Sequence, residues 1–506
     1  MAKLSEKQKI GQFIAQLREQ KGWTQEDLAG ILETSQSSVA RIENGEQNFT
    51  TDTLAKISQA LNHKIIEIAD NSMDFQVRGG GTLSGEIRTN TSKNGAMGLL
   101  CASLLNQGKT ILHGIPRIEE VNRILEVLES IGVKTEWVGE RSLEINPPKE
   151  LDLKNIDAKS ASKTRTVIMF LGPLIHLFKE FSLPHSQGCS LGKRSISAHL
   201  YGLEKLGVKV KVTKDSYDIK VNELRPAQIV MFEAGDTPTE NLLMAAAKIP
   251  GKTVLKFASA NYMVQDVCFF LQKLGVRIEG IGTSTLTIHG IEEIKQTVEH
   301  TNSEDPIESM MFLSAAITTN SSILIKACPI DFLQLELLKL EKMGFKYKLS
   351  KPYKSANGFT NLIDITSYPS NLKALDDKIT CGPYPDLNID NLPFFVPIAT
   401  QAKGTTLIHD WTFEDRAVSF MEFRRLGASI NLADPHRVFI QGPVELTPAQ
   451  IVAPPIIRSA MIILIGMMAA DGVSVLRNVY SIRRGYEDIA NRLNSLGAKI
   501  KVINEI

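Results

Sequence analysis

A short signature recurs six times along this chain and limits what it can fold into. It consists of an apolar residue, a glycine, another apolar residue and a run of alternating character. The glycines are Gly132, Gly207, Gly275, Gly344, Gly427 and Gly497, spaced 68 to 83 residues apart. An amphipathic helical pattern precedes each of them. The glycine then falls just past the helix end, where a left-handed backbone carries no Cβ penalty. The run that follows, such as Val208-Lys209-Val210-Lys211-Val212, has the period-2 pattern of a half-exposed strand. Other segments are apolar nearly all round, which marks buried helices: GAMGLLCASLL from Gly95, ENLLMAAAKI from Glu240, ESMMFLSAAI from Glu308 and RSAMIILIGMMAA from Arg458. Six such helix-and-strand units predict an α+β fold with helices covering one face of each sheet.

The repeats account for the chain after residue 73. The first 70 residues follow another pattern, with helical stretches over residues 6–20, 24–32, 35–43 and 51–61. Thr24, Ser35 and Thr51 stand where N-caps are expected. Asp70-Asn71-Ser72 is a polar break, and Met73 reads like the start of a second protein. A fusion with its boundary near residue 72 is the simplest organisation.

Composition excludes several classes. The 506 residues carry 57 Lys+Arg against 56 Asp+Glu, which gives no electrostatic case for a general nucleic-acid coat or a membrane-surface protein. The longest apolar run, Ala460 to Ala470, is too short for a membrane span, which needs about 18 residues. The five cysteines are scattered and form no CxxC pair, so neither a zinc site nor a disulfide framework is expected. The expected compartment is a reducing cytoplasm.

The segment from Gly22 to Glu46 has a small Ala29 where two helices cross, a turn at Glu33-Thr34, a cap at Ser35, apolar Val39 and Ile42, and a stop at Asn44-Gly45. It resembles the helix-turn-helix domain of the Cro and phage-repressor family, over about residues 8–66. The resemblance implies a small all-α domain over residues 1–70 whose partner is duplex DNA. Gln36, Ser37, Ser38 and Arg41 would face bases or phosphates, and Gln25 a backbone phosphate. It also implies a homodimer, the usual working state of such domains. Against DNA stands the charge: residues 1–70 hold eight Lys/Arg and ten Asp/Glu. Phosphate contacts dominate DNA affinity, so a protein-interaction role stays open.

Charged motifs punctuate the repeats. In order they are Ser92-Lys93-Asn94, Lys163-Thr164-Arg165 ahead of Leu171-Gly172-Pro173-Leu174, and the loop from Ser182 through Cys189 to Arg194. Thr239-Glu240-Asn241, Asp305-Pro306-Ile307-Glu308, the stretch from Pro385 to Asn391, Glu414-Asp415-Arg416 and Arg484-Gly485-Tyr486-Glu487 follow. A Lys at a helix N-terminus suits an anionic phosphate. Cys189 lies in a polar, glycine-containing loop with cations nearby, which favours thiolate, whereas Cys101, Cys268 and Cys328 sit in apolar runs.

The motifs, in this order over about residues 73–506, resemble those of the enolpyruvyl transferases. The loop around Cys189 is similar to the L-P-G-G-C-x-x-G-x-R loop of family members that act on UDP-N-acetylglucosamine; shikimate-pathway members lack this Cys. The resemblance implies a two-domain inside-out α/β barrel with three repeats per half: residues 73–92 plus 296–506 in one half, and 93–295 in the other. It implies transfer of the enolpyruvyl group of phosphoenolpyruvate to the sugar 3-hydroxyl, a step of peptidoglycan precursor synthesis, with no metal and no other cofactor. Lys93, Arg194 and Arg416 would bind phosphoenolpyruvate, since Arg forks match phosphate oxygens. Asn94 would hold the sugar, and Arg165 would serve the sugar-nucleotide end. Asp305 would take the hydroxyl proton and Cys189 would protonate the methylene carbon, with Asp390 and Lys93 assisting.

Three features depart from that pattern. The loop before Cys189 is longer, Pro306 replaces an Arg, and Ser197 stands where the family has an Asp near the uracil. His199 is expected to serve structure rather than chemistry. Two alternatives stay open: a transcription regulator using the enzyme fold as a sugar-nucleotide sensor, and a transferase for a different acceptor.

Overall fold

The computed structural model describes residues 11–12, 14–15, 17–19, 21–32, 34–47, 53, 56–57, 60, 73–185 and 196–504. The chain divides into two compact units, Met1–Ser72 and Met73–Ile506.

In the first unit, two helices form the expected pair. Gln25–Ile31 starts from a capping box in which Thr24 and Asp27 exchange hydrogen bonds. Gln36–Glu43 starts from Ser35, whose hydroxyl accepts from the Ser38 N–H. Leu28, Ala29, Val39 and Ile42 pack with Ile14, Leu17 and Ile57 in a small core. The expected cap Thr51 lies outside the described residues.

Among the described residues, the second unit contains six sheets, one per repeat. The pattern is clearest in the repeat around Gly275. Strand Gly251–Lys256 pairs antiparallel with Thr285–Gly290 and parallel with Gln228–Val230; Arg277–Glu279 adds on the outer side. Helix Tyr262–Lys273 ends at Gly275, and all six signature glycines have positive φ, between 82° and 98°. The last repeat is completed from the other end of the unit. Strand Met73–Gly79 lies between Gly472–Arg477 and Ile500–Asn504, antiparallel to both.

The apolar helices are buried as their composition requires. Every residue of Pro306–Thr318 is buried, and Ile457–Ala469 is buried over most of its length. Two separate cores result. One gathers Phe75–Leu83 with residues between Ile307 and Ile500; the other gathers residues between Ala96 and Val298. Among the described residues, no helix is long and apolar enough to cross a membrane.

Candidate active site

The chain passes between the two cores twice, and charged residues collect beside these crossings. Lys93 opens helix Lys93–Ala102, whose cap is the Ser92 hydroxyl accepting from the Gly95 N–H at 3.0 Å. The helix needs small residues because its neighbours press close: a Cβ on Gly98 would come 2.4 Å from Glu240 Oε1. Lys93 is partly buried. Burial holds its ammonium below the usual range, Glu120 and Asp390 pull it back up, and Arg458 and Arg484 press it down. Two carboxylates and two guanidiniums therefore surround it.

Each of these groups has a fixed partner. Glu120 Oε1 accepts from the Thr164 hydroxyl at 2.8 Å, and Oε2 accepts from Arg484 at 2.7 and 3.2 Å. Burial pushes the Glu120 carboxyl up, but Lys93 and Arg484 outweigh it and hold the group below its ordinary value. Arg458 comes from the apolar helix Ile457–Ala469. It donates to the Tyr486 hydroxyl at 2.7 Å and to Asp390 Oδ2 at 3.4 Å. Burial lowers its guanidinium, while Tyr486, Asp390 and Asp305 together raise it above its ordinary value. The Asp390 side chain keeps 31% of its surface exposed, and Arg416 Nη1 lies 3.8 Å from its Oδ1.

Asp305 caps its own helix, accepting from the Ile307 N–H at 2.8 Å. Burial pushes its carboxyl up to about 6, with Arg458 pulling down and Glu308 pushing up. Asn94 is partly buried next to Lys93. Arg165 follows Thr164, the residue that donates to Glu120; burial lowers its guanidinium against the opposing pull of Tyr217 and Glu233. His199 is buried, its Nδ1 lies 3.0 Å from Asn241 Nδ2, and burial together with Arg165 lowers it to about 3, which fits a packing role.

The structure thus brings together Lys93, Asp305 and Asp390. Arg416, expected at the phosphoenolpyruvate site, is held by partners within the protein. It is 1% exposed, its Nε donates to Asp410, and its Nη2 donates to the Ile389 carbonyl at 2.8 Å. A guanidinium this deeply buried must be paired, and Asp410 supplies the pairing. Cys189 and Arg194 lie outside the described residues.

Arg458 and Glu120 were not singled out from the sequence. Arg458 carried a usable signal: a lone cation within an apolar helix must find a partner. Glu120 carried none that separates it from Glu119.

In the first unit, Gln36 Nε2 donates to Gln25 Oε1 at 2.8 Å, and Gln25 Nε2 donates to Glu43 Oε2 at 2.8 Å. Ser37 and Arg41 are exposed, and Ser38 is partly buried with its hydroxyl donating to Gln47 at 3.4 Å.

The chain is similar to several known proteins. Residues 77–493 match the family model described as EPSP synthase (3-phosphoshikimate 1-carboxyvinyltransferase), and residues 14–68 match a helix-turn-helix family. The UDP-N-acetylglucosamine 1-carboxyvinyltransferase of Bradyrhizobium diazoefficiens is 33% identical over 441 residues, covering 86% of this chain and 99% of that relative. The enzyme of the same name from Borreliella burgdorferi is 32% identical over 431 residues, covering 85% of this chain and 99% of that relative. The crystal structure of the enolpyruvyl transferase NikO from Streptomyces tendae superposes with a TM-score of 0.75 at 22% identity, covering 86% of this chain and all of that one; this is a likeness of fold.

Proposed function

The chain belongs to the EPSP synthase (3-phosphoshikimate 1-carboxyvinyltransferase) family, and on that premise we propose that residues 73–506 transfer the enolpyruvyl group of phosphoenolpyruvate to the 3-hydroxyl of UDP-N-acetylglucosamine, releasing phosphate. The observation that carries the reading is the meeting of Lys93, Arg458 and Arg484 with Glu120, Asp305 and Asp390 beside the two crossings.

The reaction is an addition followed by an elimination. The sugar oxygen bonds to C2 of phosphoenolpyruvate and loses its proton, while C3 gains one and becomes a methyl. Loss of a C3 proton and departure of phosphate then restore the double bond. The substrate is polyanionic, so Lys93, Arg458 and Arg484 fit its phosphate and carboxylate, with Arg194 joining them from its loop. Cations held in place beforehand also stabilise the charge that develops on addition.

Of the two carboxylates, Asp390 has surface open to a substrate, and it sits against Arg416 and Arg458. It assists proton movement together with Lys93. Asp305, held beside Arg458 and pushed up to about 6 by burial, is the proposed acceptor of the hydroxyl proton. Cys189 is the proposed acid at C3. Asn94 and Arg165 are the proposed contacts to the sugar and the nucleotide.

The test is phosphate release from phosphoenolpyruvate by the full chain, with UDP-N-acetylglucosamine present or absent. Release that requires the sugar nucleotide supports the reading. Release only with another hydroxyl acceptor would move the substrate, and no release with either would leave a sensor. For the N-terminal unit we propose duplex DNA as the partner, bound by a homodimer through Gln25, Gln36, Ser37, Ser38 and Arg41. Mobility shift of random duplexes at low salt tests it. The proposed site of action is the cytoplasm, where both small substrates would be met.

A further inference from the structure

The two crossings are zipped to each other, and the zipper ends on site residues. The Ser92 N–H donates to the Ser303 carbonyl at 2.7 Å, and the Asp305 N–H donates to the Asn90 carbonyl at 2.8 Å. Thr91 and Glu304 form an antiparallel bridge between these bonds. Lys93 directly follows the first crossing, and Asp305 closes the second.

Two fully buried polar side chains hold this junction. The Asn302 amide donates to the Ser92 carbonyl at 2.7 Å and to the Gly114 carbonyl at 3.1 Å. Asp266 Oδ2 accepts from the Ser303 N–H at 3.3 Å, and its Oδ1 lies 3.5 Å from His300 Nε2. Both side chains face the first turn of the Lys93 helix. A Cβ on Gly95 would fall 2.4 Å from Asn302 Oδ1 and 2.9 Å from Asp266 Oδ2, so only glycine leaves them room. Asn302 Oδ1 has no hydrogen-bond partner among the described residues. That orphaned oxygen costs about 1–3 kcal/mol, which the two hydrogen bonds of the amide to backbone carbonyls offset. What it supplies is direction: its amide hydrogens fix the carbonyl of the residue that caps the Lys93 helix.

We propose that Asn302 and Asp266 are positioning residues, which lock the first turn of the Lys93 helix to the crossing that ends in Asp305. The spacing of Lys93 and Asp305 is then held constant by the junction. This rests on the assignment of Lys93 to the phosphoenolpyruvate site. A displacement of about 1 Å at a reacting group costs about 100-fold in rate, so a loosened lock acts on turnover.

The experiment compares full-length Asn302→Leu, Asp266→Asn, Gly95→Ala and Lys93→Met with the parent. It measures kcat, KM for each substrate and the melting temperature. Asn302→Leu is expected to lower kcat about 30- to 100-fold and raise KM for phosphoenolpyruvate, with KM for the sugar nucleotide within about twofold of the parent. Asp266→Asn keeps an acceptor for Ser303 and is expected to retain kcat within about threefold. If Asn302→Leu does not fold, Gly95→Ala, which presses on Asn302, is expected to give the same split. Asn302→Leu or Gly95→Ala melting like the parent with parental kcat overturns the proposal, as does either one shifting both KM values together with stability. Lys93→Met separates the two readings. If it turns over at the parental rate, the assignment of Lys93 fails. If it is inactive while Asn302→Leu is parental, only the positioning role fails.

Discussion

Arg18 in the N-terminal unit and Arg458 in the larger unit are both buried guanidiniums, but their partners differ. Arg18 is clasped: Nε and Nη2 donate to the two oxygens of Glu43 at 2.6 and 3.0 Å, Nη1 donates to the Trp23 carbonyl at 2.7 Å, and Nη2 also reaches the exposed Glu19 at 3.4 Å. Glu43 is itself buried. Arg458 is open on one side, because Asp390 is partly exposed and only 3.4 Å away. The first arrangement saturates the charge and holds a small core together. The second leaves a charge pair partly open to solvent, at the proposed substrate site. Cation count alone does not distinguish these two arrangements; the buried, bidentate carboxylate that Arg18 has and Arg458 lacks does.

The largest expected effect is on the open side of this comparison. Arg458→Met should lower kcat/KM for phosphoenolpyruvate by about 1000-fold, the scale of losing one pre-placed charge donor. Parental kcat/KM in steady-state assay would break the comparison. Arg18→Met tests the closed side. Removing one partner of a buried pair costs about 3–5 kcal/mol, so the first unit should lose its protection from proteolysis while phosphate release stays within about twofold of the parent.

Asp305→Asn sharpens the comparison through pH. The folded state holds this carboxyl at about 6 against an ordinary 3.8, so the native state binds more protons than the unfolded one between those values. Stability from this group is therefore fully present below about pH 4 and is lost as pH rises through 6. The neutral amide removes that loss. Asp305→Asn should melt higher than the parent at pH 7–8, the difference vanishing towards pH 4, while its rate falls. An unchanged difference across pH would refute the shift.

The smallest effect is expected in the first unit. Arg41→Ala should weaken duplex binding by a few-fold and reduce the slope of log affinity against log salt by about 1. An unchanged slope would remove Arg41 from the phosphate contacts.

Much of the architecture was legible before any coordinates. The caps at Thr24 and Ser35, the positive-φ glycines and the buried helices depend on residues within a few positions of each other. Lys93 was legible for the same reason, since a helix start is a local event. The site's pairings were not. Glu120 and Arg484 are 364 residues apart, and nothing near either one names the other. The burial of Arg416 against Asp410 was hidden too, although the two are close in sequence, because depth depends on what packs above them.

The sequence by itself therefore determined the repeat, the boundary near residue 72 and the order of the motifs, because caps, periodicity and turns are short-range physics. Only the tertiary structure decided that Met73–Gly79 completes the last sheet of the chain, and that Arg458 meets the partly exposed Asp390 while Arg18 is clasped by the buried Glu43. These outcomes depend on strand pairing and desolvation between distant segments, and the energies involved exist only once those segments meet.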